Sequence, residues 1–292
     1  MEYHTADLSH AATAEGCMPG LGDSHDWPNR HTLQKVGNTA LKAAAGLWFV
    51  VAVIGQLAFA SYVAIFYGRA VVRWDLPAWR HGYVAGDTIG NIAFAIHLSL
   101  AVVIIVGGAI QLIPQIRKRA PALHRWNGRI YIVTAFTLPV GGFYLVWVRG
   151  TVGDFSQHLA TSINGVLIML CAAMALRYAL ARKFAVHRRW ALRLFLVSSG
   201  VWFVRLAIYL WVFLNNGPVG FNPETLSGPF LTIVHFGQFL LPLGVLELYL
   251  RARDRVGAPG RIAMALVLFA LTIVMGAGIV VVTAQRWLPR ML

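Results

Sequence analysis

At 292 residues, 58% hydrophobic and only 12% charged, the chain is too apolar for a water-soluble enzyme of its length and reads as an integral membrane protein. A formal charge of +14 invites a nucleic-acid reading, but the cations cluster between apolar runs instead of forming one basic face, so nucleic acid is excluded as a partner. Two cysteines, Cys17 and Cys171, supply neither a disulfide framework nor a zinc motif.

Residues 1–39 are polar, hold His4, His10, His25 and His31, and lack the apolar core of a cleavable signal. A cytoplasmic tail is expected there, and the irregular histidine spacing favours a mobile segment over a metal site. Residues 40–292 form one transmembrane domain. Its seven apolar stretches lie near 40–66, 91–113, 130–148, 159–180, 191–214, 230–250 and 262–284. Each approaches or exceeds the roughly 20 residues that cross a hydrocarbon layer about 30 Å thick. Lipid satisfies no backbone polar group, and continuous apolar runs do not alternate as barrel strands do, so the fold class is an all-α polytopic helix bundle. Of the 25 Lys and Arg residues, eighteen flank one end of these spans, six flank the other, and Arg205 lies inside a span. That asymmetry puts the N-terminus in the cytoplasm and the C-terminus outside, in a bacterial inner membrane.

Span one carries no ionisable side chain after Lys42 and is a packing helix. The loop behind it, 67–90, holds Arg73, Trp74, Asp75, Trp79 and Tyr83, as interfacial anchors do. Span two opens with Phe94-x-x-His97-Leu98, and the face of His97 continues through Ala101, Ile104, Gly108 and Gln111. His124-Arg125-Trp126 follows 27 residues on and opens span three, in which Pro139, Gly141 and Gly142 predict a kink. The arrangement then repeats. Phe155-x-x-His158-Leu159 opens span four, and 29 residues on His187-Arg188-Arg189-Trp190 opens span five. Residues 91–214 therefore read as a duplicated helical hairpin. On an unbroken helix the His187 face leads through Ala191, Leu194, Ser198 and Val201 to Arg205, roughly 27 Å away.

A charge inside a span needs an inward-facing partner. For Arg205 the carboxylates to weigh are Asp154, Glu224 and Glu247, and an anionic ligand is the alternative. Span six offers His235, Gln238 and Pro242. Residues 251–262 loosely echo the earlier basic loop without its histidine, and span seven is featureless and is expected at the edge of the bundle.

Topology places His97 and His158 at the outer level and His124 and His187 at the inner level. Two stacked histidine pairs in a helical bundle suit the axial ligation of haem, with haem b as the expected cofactor. Arg205 outside, and Arg125, Arg129, Arg188 and Arg193 inside, are then candidates to compensate propionate charge. The corresponding function is transmembrane electron transfer or quinone-linked reduction. Two alternatives stay open: a non-catalytic accessory or assembly protein whose His-Arg-Trp segments bind membrane lipids, and a transporter or metal permease with an outer site of His97, His158, His235 and Arg205. Nothing in the chain matches a nucleophile triad, a phosphate loop or a helical zinc-protease motif.

The run from His124 to Tyr131, followed by His187-Arg188-Arg189-Trp190-Ala191-Leu192-Arg193 and then Val204-Arg205-Leu206, resembles a bacterial membrane family known as domain of unknown function 2306. The resemblance covers roughly residues 90–215 and implies a helical membrane fold without assigning a reaction. Ala191-Leu192-Arg193-Leu194 departs from the continuation expected after the second motif. In arrangement alone, the histidines are also similar to those of the diheme cytochrome b-561 family. That likeness implies pairing His97 with His158 and His124 with His187.

Overall fold

The computed structural model describes residues 27–73, 75, 79, 82–151 and 153–292, so His4, His10, His25, Cys17, Trp74 and Arg80 lie outside the described residues. The described chain is helical: α1 (Trp27–Val72), α2 (Thr88–Leu112), α3 (Pro114–Arg119), α4 (Pro121–Phe143), α5 (Phe155–Leu180), α6 (Phe184–Ser198), α7 (Gly200–Leu214), α8 (Pro229–Arg255), α9 (Ala258–Val282) and α10 (Leu288–Met291). Among the described residues six helical segments are long and apolar enough to cross a membrane, and the bent pair α6–α7 passes the same test when taken together, for six to seven candidate spans. The seven apolar runs of the sequence thus correspond to helices.

Boundaries follow local chemistry. Pro114 and Pro121 restart the chain twice after α2, because the residue before each proline is pushed out of helical geometry. Asp87 and Asp154 cap α2 and α5 by accepting the amides of Gly90 at 2.9 Å and Gln157 at 3.1 Å, where a carboxylate also complements the helix dipole. The Gly90 amide and the Arg149 guanidinium hold the Asp87 carboxyl below the usual carboxylate range, and the Ser156 hydroxyl with the Gln157 amide does the same for Asp154. Helix α4 runs on through Pro139 and widens into a π-helical turn at Tyr144–Val148, so its irregularity falls after Gly141–Gly142 and not at the proline.

Three expectations change. Helix α1 begins at Trp27, so residues 27–39 extend the first helix and are not part of a tail. A glycine makes this possible: a Cβ at Gly37 would lie 3.0 Å from the Ala258 carbonyl oxygen, and Arg261 bonds Gln34 at 3.0 Å and Asn38 at 2.7 Å. Span seven is not an edge helix. It forms the most extensive helix pair with α1 and also packs on α7, burying Met275, Ile279 and Val282 around Trp202. Gly278 lets α7 come close, since a Cβ there would sit 3.3 Å from Leu206 Cβ.

The third change is a break in span five, where α6 and α7 meet at 46° across Ser198, Ser199 and Gly200. Polar side chains from three other helices hold the break. The buried Gln56 amide donates to Ser199 Oγ at 2.8 Å, Asn164 donates to the Val197 carbonyl at 3.1 Å, and Gln238 Oε1 would lie 2.8 Å from a Cβ at Gly200. Backbone groups released inside a membrane need such partners. The straight projection from His187 to Arg205 therefore fails, because the two residues lie on different helices.

Helices α2, α4, α5 and α6 form a ring. Helix α4 packs on α2 and α5, while α6 packs on α5 and touches α2. Ile104, Tyr131, Ala135, Ile168, Leu194 and Val197 fill its centre.

Candidate functional site

At the basic end of this ring the first turns of α4 and α6 line one cavity. The start of α4 is pinned to α2 by two bonds: Gln111 Nε2 donates to the His124 carbonyl at 2.8 Å, and Asn127 Nδ2 donates to the Gly107 carbonyl at 2.9 Å. On α6, His187 Nδ1 lies 2.8 Å from the Ala175 carbonyl of α5. A carbonyl only accepts, so Nδ1 carries the proton and Nε2 keeps its lone pair. His124 Nδ1 is buried and has no hydrogen-bond partner.

Both rings line this cavity of about 1620 Å³. Arg117, Arg125, Arg129 and Arg188 line it, with Arg253 that Asp254 pairs, and most of the remaining wall is apolar, Phe195, Phe203 and Met275 included. No Asp or Glu lines it. Unbalanced cations beside a low-dielectric space attract an anion, and the apolar walls take the hydrocarbon part of the same molecule. The duplicated motif is visible in the packing: Arg129 lies over the Trp126 ring at 4.7 Å and Arg193 over Trp190 at 4.9 Å. Arg193 forms an ion pair with Glu247, which withdraws it from the role sequence assigned.

The outer histidines are arranged differently. His97 packs against Gly141 and Gly142 of α4, where added Cβ atoms would lie 3.6 and 3.4 Å from its ring, and its Nδ1 is buried without a partner. His158 meets Trp147 edge-on with ring centroids 5.9 Å apart, and its Nε2 is 3.4 Å from Thr151 Oγ1. Helix α5 contacts α4 at Pro139 and Phe143, which approach Gly165. At 3.6 residues per turn, the Gly141–Gly142 face is turned roughly 130° from that contact. His97 and His158 therefore engage α4 from different sides.

Axial ligation of haem requires two facing imidazoles with free lone pairs, and its propionates require cations. His124 and His187 suit that chemistry through the orphaned Nδ1 of one, the oriented ring of the other and a shared cavity that no carboxylate lines. His97 and His158 do not fit it as a pair. Among the described residues no three His, Cys, Asp or Glu side chains gather as a metal site. Arg205 pairs with none of the three carboxylates weighed from sequence, because Asp154 is bonded to Ser156, Glu247 to Arg193, and Glu224 lies in the exposed 215–228 loop.

Sequence reasoning missed Arg117, Gln111 and Gln238 as parts of these sites. Arg117 was absorbed into the topology count, whereas Gln111 and Gln238 carried a usable signal as carboxamides inside apolar runs. It also missed the clamp at the opposite end. Arg149, with a side chain only 6% exposed, bonds Asp87 at 2.9 Å, Asn91 at 2.6 Å and the Gly82 carbonyl at 3.1 Å.

Residues 94–241 match the model of a family described as predicted membrane protein, DUF2306. The matched stretch is just over half of the chain, runs from α2 into α8 and contains all four motif histidines, His235 and Arg205. No curated protein and no solved structure matches the chain.

Proposed function

The chain belongs to the DUF2306 family of membrane proteins, and from that premise we propose that it binds one b-type haem between His124 and His187 and exchanges electrons with a quinone or another redox partner. The observation that carries this reading is the presence of two imidazoles in the lining of one basic cavity that no carboxylate lines. Haem, when bound, supplies one-electron chemistry. The protein's share is orientation and charge. The Ala175 carbonyl fixes the His187 tautomer, Gln111 anchors the His124 backbone, and Arg117, Arg125, Arg129 and Arg188 hold the propionates. The eighteen-to-six asymmetry of Lys and Arg supports a cytoplasmic position for the basic end in a bacterial inner membrane.

One haem replaces the two expected from sequence, because His97 and His158 approach α4 from different sides. The test is the absorption spectrum of protein purified from haem-supplied cells. Dithionite should produce a sharp α band that His124→Ala and His187→Ala each abolish and His158→Ala leaves intact. A colourless wild-type preparation overturns the proposal. If its cavity variants instead lose a response to anionic phospholipid, the lipid-binding accessory reading takes over.

A further inference from the structure

Arg205 lies beyond the span-five break and is not among the residues that line the basic cavity, although its neighbour Leu206 is, and the haem reading gives it no work. Its Nη1 donates to the Val201 carbonyl of its own helix at 3.2 Å, and its guanidinium lies over the Phe59 ring of α1 at 4.8 Å. Tyr209 lies four residues further along the same helix, and Tyr62 stacks on the Phe59 ring. A ring face offers a cation a quadrupole but no countercharge.

Two further cations close the same place from the C-terminal segment. Arg286 Nε donates to the Tyr209 hydroxyl at 2.9 Å, and Arg290 Nη1 donates to the Tyr62 hydroxyl at 3.2 Å. Arg290 also lies over Phe66 at 5.5 Å, and Tyr62 stacks on Phe59 with centroids 6.4 Å apart, which joins these groups to the ring under Arg205. Each phenol, having accepted from an arginine, still has its own O–H to donate. Among the described residues no carboxylate pairs with Arg205, Arg286 or Arg290. Three cations and two available hydroxyl donors without an anion leave an electrostatic demand.

We propose that Arg205, Tyr62 and Tyr209 form a binding site for an oxyanion, a phosphate or carboxylate head, with Arg286 and Arg290 polarising the two phenols. Arg205 supplies the fork of N–H donors that matches such a head, and each phenol adds one charge-assisted bond. The anion belongs either to a water-soluble ion or to a lipid headgroup. The site stands apart from the haem proposal, since it shares none of its residues with the basic cavity.

The test uses full-length protein in phosphatidylcholine nanodiscs, melted against increasing inorganic phosphate, and a parallel series in which phosphatidylglycerol is added to the disc. Stabilisation by phosphate identifies a soluble anion, and stabilisation by phosphatidylglycerol alone identifies a lipid head. In the responding series Arg205→Gln should abolish the shift. Tyr209→Phe, which removes one O–H and leaves the ring packing, should weaken the apparent affinity about tenfold, and it carries the test if Arg205→Gln fails to fold. His187→Ala should respond as wild type. Absence of stabilisation in both series, or an undiminished response in Tyr209→Phe, overturns the proposal.

Discussion

The bend in span five rests on Ser199, and its removal has a calculable consequence. Ser199 and Gln56 are 5% and 2% exposed, and the Gln56 amide donates to Ser199 Oγ at 2.8 Å from a different helix. Ser199 Oγ also donates to the Phe195 carbonyl at 2.7 Å, but that carbonyl keeps the Ser199 backbone N–H as a donor. In Ser199→Ala the stranded group is therefore the Gln56 amide. Burying one unsatisfied donor costs about 2 kcal/mol, which for a chain of this size lowers the melting temperature by about 4–8 °C. Thermal unfolding in detergent, followed by circular dichroism, measures the shift. Because the cost lies in the orphaned amide, Gln56→Leu combined with Ser199→Ala should recover much of the loss. A single variant that melts with wild type, or a double variant that loses the sum of both singles, would refute the reasoning.

Other consequences follow from the same contacts. Gly165→Ala places a Cβ 2.8 Å from the Phe143 ring and 3.3 Å from Pro139, and the α4–α5 packing should lose about 1–3 kcal/mol in the same melting assay. Asp87, whose carboxyl is held below its ordinary value, stabilises the folded state above about pH 3.9 and loses that contribution as the pH falls through its lowered folded value. Protection of the 82–91 segment from hydrogen exchange should therefore fall on strong acidification, and Asp87→Asn should remove that dependence. Arg193→Ala breaks a partly exposed pair with Glu247 and a ring contact with Trp190, so it should cost about 1–2 kcal/mol and leave haem content unchanged. Retention that falls with Arg193→Ala but not with Arg188→Ala would reverse the assignment of the cavity arginines.

The sequence made the spans legible because a run of apolar residues long enough to cross lipid has few other uses. It also located His124 and His187 at one level, since both open helices after basic loops of similar length. It did not reveal that span five bends. Ser198, Ser199 and Gly200 are each tolerated within a straight apolar helix, and only partners distant in sequence, Gln56, Asn164 and Gln238, hold the break. For the same reason the distance from His187 to Arg205 was drawn along one axis. The outer histidines were matched by depth alone, and depth leaves the angle around α4 undetermined, which the packing of His97 on Gly141 and Gly142 decides. Span seven looks peripheral because it carries few polar side chains, whereas Gly278 admits α7 and Gly37 and Gly55 of α1 admit Ala258 and Ile279.

Haem content per chain tests the central claim most directly. Quantified by pyridine haemochromogen against protein concentration, wild type should carry one haem per chain, His124→Ala and His187→Ala none, and His97→Ala and His158→Ala one. A wild-type value of zero, a value of two, or loss of haem in His158→Ala with retention in His187→Ala would contradict the account.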